Sequence, residues 1–185
     1  TANVAVGNYT LDALTSGDDN VAIGHDALTT LTTGLRNTAV GKDALKLTTT
    51  ANNNTAIGDR AMDANTTGAD NSALGSHALG GNTTGTGNVA VGYGALFDHT
   101  TGNDNTAIGR NAAANNTTAA NNTAVGSQAL LANTTGDSNV AIGMQAMEDN
   151  TTASNNVAVG MEAMLQNTTG GNNTAIGYGS LENNT

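Results

Sequence analysis

Asn stands at residues 3, 20, 37, 54, 71, 88, 105, 122, 139, 156 and 173, spaced by 17 residues each time with no insertion or deletion. Counting that Asn as unit position 0, the repeat reads N-[VTS]-A-[VIL]-G-x-x-A-L-x-x-N-T-T-G-x-x. Unit position 2 is Ala in all eleven units (Ala22, Ala56, Ala107 and Ala141 among them), and position 4 is always Gly (Gly24, Gly58, Gly109, Gly143). Position 3 is always a branched aliphatic residue (Ile23, Ile57, Ile108, Ile142), and position 12 always Thr (Thr66, Thr83, Thr134, Thr168). Position 8 is Leu or Met with one exception, Ala113.

A short fixed period of this kind is the signature of a solenoid, each unit being one coil stacked on the last. Helix-pair units are longer, and this one carries Gly and a Thr-Thr-Gly break. Positions 1 to 3 have the β-branched character of a short strand, and the Gly and Asn-Thr-Thr-Gly segments supply turns. The expected fold is therefore all-β: a parallel β-solenoid of eleven 17-residue coils forming one repeat domain over residues 1–185. At a strand spacing of about 4.8 Å, such a rod is roughly 50 Å long. Asn20, Asn54, Asn105 and Asn139 head the expected Asn ladder, with Thr ladders at positions 12 and 13.

Composition fits a rod better than a globule. Only 2% of residues are aromatic, and Pro and Cys are absent, so neither disulfides nor thiolate metal sites exist. The net charge of −10 disfavours nucleic acid and anionic membrane surfaces. No apolar run approaches the ~20 residues of a membrane span. Charged residues fall at positions 5, 6, 9, 10, 15 and 16, which are read as facing solvent. Stacking brings Lys42 under Asp59, Asp43 under Arg60 and Lys46 under Asp63, three expected cross-coil ion pairs, while Asp26 under Asp43 sets like charges together.

No catalytic constellation is expected. His25, His77 and His99 occupy three different columns, and the Asp residues of position 16 share theirs with Arg36 and Gly87, which suits turn capping better than calcium. No metal or cofactor is called for. The adjacent Thr pair raises an ice- or glycan-binding alternative, but neighbouring residues on a strand point to opposite faces. Many Asn lie in sequons, among them Asn65, Asn82, Asn133, Asn150 and Asn167, which arise from the repeat itself. Exposed apolar candidates for a sugar or partner contact are Tyr93, Tyr178, Met144 and Met161.

Each coil offers little apolar area to offset the ordering of 17 residues. The Ala columns at positions 2 and 7 suggest close packing, against the opposite wall of the coil or against another chain. Bundling several chains side by side would bury a second face, so the expected state is a homo-oligomer, which the family resemblance of the repeat makes a homotrimer. Thr1 and Ala2 occupy positions 15 and 16 of an absent coil and Thr185 ends within another, so a segment of a longer shaft or end-to-end stacking into a filament are both expected readings.

The phrases "NVAIG" (20–24, 139–143) and "NTAIG" (105–109) resemble the head repeats of YadA-type trimeric adhesins. The fuller "NTAVGSQALLANTTGDSNVAIG" (122–143) is similar to arrays in bacteriophage tail fibres and bacterial surface proteins. That resemblance implies a left-handed β-roll, three chains about a common axis, and a non-enzymatic stalk or adhesive head outside a cell or on a virion. A cell-surface receptor or glycan is the further partner it implies. The 17-residue unit is longer than the adhesin repeat, which puts the coil outline and trimer packing of that family in question.

Overall fold

The computed structural model describes residues 2–184; Thr1 and Thr185 lie outside the described residues. Eleven three-residue strands, β1 (Val4–Val6) to β11 (Thr174–Ile176), form a single parallel sheet in sequence order. The register is one repeat per step, with Ala5 facing Ala22 and Ala158 facing Ala175. The chain is thus a parallel β-solenoid without helices among the described residues.

Stacking continues around each coil beyond the strand. Leu45 N–H donates to Ala61 at 3.0 Å, Thr49 N–H to Thr66 at 3.0 Å, and Asp43 N–H reaches back to His25 at 2.9 Å. Two tight turns bend the coil: Ala44 N–H donates to Gly41, and Thr48 N–H to Leu45. Bending a 17-residue ring this sharply puts four positions per coil at positive φ. Position 4 is Gly throughout, with φ between +122° at Gly177 and +143° at Gly58. Positions 6 and 16 take left-handed conformations with a mixture of side chains, such as Arg60 (φ 53°), Gln128 (59°) and Asp70 (60°). So does position 8, where Leu28 (51°), Met62 (53°) and Leu130 (56°) turn into the core. Asn accepts this conformation more readily than other residues with a Cβ. Ser138, exposed at φ 58°, should therefore gain about 0.5 kcal/mol on replacement by Asn, read as a rise in thermal midpoint.

The interior is built from small and polar columns. Ala at positions 2 and 7 and Leu or Met at position 8 are almost fully buried, as in Ala22, Ala27 and Leu28. Both Ala columns therefore face the opposite wall of their own coil rather than a second chain, so the trimer argument drawn from them loses its basis. The strand alternation has a second consequence. With position 2 inside, positions 1 and 3 point outward, and the aliphatic residues Ile23, Ile57, Leu74, Ile108 and Ile142 are exposed. They add nothing to the interior of their own coil.

The Asn column at position 0 replaces missing hydrophobic mass with hydrogen bonds. Asn88 is representative: its Oδ1 accepts Asn105 N–H at 3.0 Å and Asn105 Nδ2 at 3.0 Å, while its own Nδ2 donates to Gly102 O at 3.0 Å and Asn71 Oδ1 at 3.2 Å. Each amide thus joins two coils and braces its own coil across the corner. Asn20, Asn54, Asn105 and Asn139 occupy the same buried place.

Candidate functional site: the outward sheet face and the ladders

Unit positions 1 and 3 of the eleven strands form two parallel columns on one flat face, made only of Thr, Ser, Val, Ile and Leu. No charge interrupts either column, in a chain that carries −10 elsewhere. Leu74 is 50% exposed and Ile108 40%. The stripe is roughly 50 Å long, and its position-3 column is an unbroken row of branched aliphatic side chains, the kind of exposed apolar row that marks a contact surface. Positions 1 and 3 look like core in a linear reading. The signal that exposes them is the invariant Ala between them: a strand that turns its smallest residue inward turns both neighbours out.

The Thr column at position 12 is occupied internally. From Thr15 to Thr151, nine successive hydroxyls donate to the carbonyl of the Thr one coil on, at 2.8–3.3 Å. Thr66, Thr83 and Thr134 belong to this chain of bonds, and Thr168 O receives its last donor. Beyond Thr15 in the first coil, the exposed Thr of the two ladders are those of position 13, such as Thr67 and Thr84. The position-11 sequon asparagines Asn65, Asn82, Asn133, Asn150 and Asn167 are buried inside the coil, which withholds their amides from a glycosyl donor in the folded protein, whereas the sequons at Asn8, Asn53, Asn121 and Asn172 are exposed.

The charged cluster is arranged differently from simple columns. Arg60 Nε lies 3.9 Å from Asp43, as the column predicts. Lys46 instead turns within its coil to Asp43 at 2.9 Å and reaches back to Asp26 at 3.1 Å, and Lys42 turns to Asp43 at 3.5 Å. Neither lysine is brought to Asp63 or Asp59 among the described contacts. The stacked carboxylates of Asp26 and Asp43 are thus bridged by one ammonium. The hydrogen bond from Lys46 holds the Asp43 carboxyl below its usual range, with burial working partly against it. His25, Asp26 and Asp43 come close enough to share an ion, but Lys46 already supplies the positive charge between the two carboxylates. Asp63 behaves oppositely: burial raises its carboxyl above the usual value.

His99 interrupts the buried ladder of position 11. In neighbouring coils Asn82 Nδ2 donates to Asn65 Oδ1 at 2.8 Å and Asn150 Nδ2 to Asn133 Oδ1 at 2.8 Å. His99 uses Nε2 on Gly102 O at 2.8 Å, leaving Asn82 Oδ1, its own Nδ1 and Asn116 Nδ2 without partners. Burial lowers the His99 pKa below the ordinary value. The unfolded chain then binds the extra proton first, so stability present above the unfolded histidine pKa, near 6.5, is lost as pH falls below it. His99→Asn should restore the ladder, stabilise by about 1 kcal/mol at neutral pH, and flatten the decline between pH 7 and 5 in urea melts.

Comparison with protein-family models, curated proteins and solved structures returns no match. The likeness to adhesin and tail-fibre repeats rests on the motif alone.

Proposed function

We propose that this chain is a structural, non-enzymatic rod: a shaft or head segment of an extracellular or virion fibre that holds or presents an adhesive surface by stacked-coil rigidity. Its copies assemble side by side through the outward face of positions 1 and 3. The observation that carries this reading is that face, uncharged along all eleven strands of an acidic chain and carrying an unbroken branched-aliphatic column at position 3. Like-charged rods repel except where no charge stands, so this stripe is where a second copy meets the least resistance. Two such stripes bury roughly 1,000 Å², the area a specific interface needs. A stripe only two side chains wide suits chains gathered about a common axis, and the adhesin resemblance supplies the number three and the left-handed winding.

Light scattering on a size-exclusion column tests this. The expected mass is about three times 18.3 kDa, falling to a single chain in the double variant Leu74→Lys/Ile108→Lys. A well-folded 18.3 kDa native species would overturn the assembly. Long particles of far higher mass would replace it with end-to-end stacking.

A further inference from the structure

The repeat breaks its own pattern most densely in three consecutive coils. Gly80 and Gly81 occupy positions 9 and 10 of the fifth coil. Gly94 and Phe97 stand at positions 6 and 9 of the sixth, and Ala113 is the one small residue of the Leu/Met column in the seventh. Of these departures, Gly94 and Phe97 line one groove, while Ala113 is buried within its coil. Removing side chains at Gly80 and Gly94 makes room: a Cβ on Gly80 would touch the Phe97 ring at 3.4 Å, and one on Gly94 would strike Asn111 Oδ1 at 2.7 Å. The result is a groove of about 350 Å³. Its walls come from His77, Tyr93, Phe97 and Leu131, with Asn111 and Asn115 alongside. Ala114, between Phe97 and Leu131 in the position-9 column, contributes a small side chain to its lining.

The chemistry of the lining is specific. Tyr93 and Phe97 are 59% and 42% exposed, although aromatic residues make up only 2% of the chain. The His77 ring meets both edge-on, at centroid distances of 6.2 and 5.7 Å and interplanar angles of 77°. This arrangement holds the two aromatic rings in place. No carboxylate, lysine or arginine lines the groove, so nothing there recognises an ion. Aromatic faces take up the apolar C–H face of a ring, and the Asn amides each offer both donors and an acceptor, as hydroxyl-rich ligands require. The volume lies within the range of small-ligand sites.

The geometry points to a binding subsite for a neutral pyranose unit of a glycan, set in the wall of the rod and independent of its assembly face. The sugar ring stacks on Tyr93 or Phe97, and its hydroxyls exchange hydrogen bonds with Asn111 and Asn115. The groove is open to solvent, so it takes a residue within a chain as readily as a terminal one.

The test is a nuclear magnetic resonance titration of the intact chain with four probes: maltotriose, cellotriose, chitotriose and mannotriose. Phe97 is the only Phe, so its ring signals report the groove without ambiguity. The expected result is saturable shifts of those signals with at least one probe. Affinity should be weakened about tenfold or more by Tyr93→Ala and by Asn115→Arg, and left unchanged by Tyr178→Ala in the same column outside the groove. Both substituted side chains are exposed, so circular dichroism melts should match the parent. Absence of saturable binding with all four probes overturns the proposal. So does binding that survives both groove variants, or a groove variant that alters only the mass of the assembly.

Discussion

Asn88→Ala is expected to lower stability by about 3–5 kcal/mol, enough to open the middle of the rod. Truncation leaves Asn105 N–H buried without a partner and takes the Asn88 donor from Gly102 O, which keeps His99 Nε2. The orphaned N–H costs about 1–3 kcal/mol, and the lost amide bond and the emptied volume add to it. Asn88→Asp separates the causes: it keeps the acceptor for Asn105 but loses both donors and buries a charge, so it should be no better than Ala. Urea unfolding measures both, and hydrogen exchange should show the new opening centred on the sixth coil. An Asn88→Ala chain as stable as its parent would contradict the account of the ladder.

The second large effect is expected at the position-4 glycines. Gly109→Ala places a Cβ where φ is +138° and where Gly126 O would lie only 2.4 Å away. That region of conformational space is closed to residues with a Cβ, and the contact is with backbone that is itself fixed by stacking. A loss of about 3 kcal/mol or more follows, or a local break in coil register. Gly102 provides the control. A Cβ there also meets a carbonyl, Ala119 O at 2.0 Å, yet the same unit position already holds Ala51, Ala119 and Ala153 in other coils, and its φ is not positive. Gly102→Ala should therefore be mild. Paired melting curves of the two variants check this. Equal losses would mean that contact, rather than backbone conformation, decides which glycines are fixed.

That contrast shows what the sequence makes legible. The period, the strand at positions 1 to 3, the turn at Gly and the Asn and Thr ladders follow from residue type and spacing, because stacking identical coils sets like residue over like. The position-16 turn is also readable, since Asp19, Asn53 and Asp70 favour the left-handed conformation they adopt. Leu28 and Leu45 adopt it too, and nothing about Leu announces that; the need to turn a large side chain into a narrow core overrides its preference. Which face the aliphatic residues of position 3 occupy was encoded in the invariant Ala beside them, but hydrophobicity pointed the other way. The pairing of Lys46 with Asp26 and Asp43 depends on side-chain directions at a corner, which column arithmetic does not carry. The groove was legible only in part: Tyr93 stands out as exposed, whereas Phe97, His77 and Asn115 meet it through the shape left by missing side chains.

The central claim is that copies join through the strand face, and it can be tested by placing one thiol at a time, since the chain has no cysteine. Val91→Cys puts it at position 3 of the sixth strand, near the middle of the rod, and Thr101→Cys puts it on the exposed position 13 of the same coil. With a short bismaleimide, Val91→Cys is predicted to give covalently joined chains at least about tenfold faster than Thr101→Cys, whatever the relative direction of the copies. Equal rates, or faster joining through Thr101→Cys, would contradict the assembly and move the contact to another face.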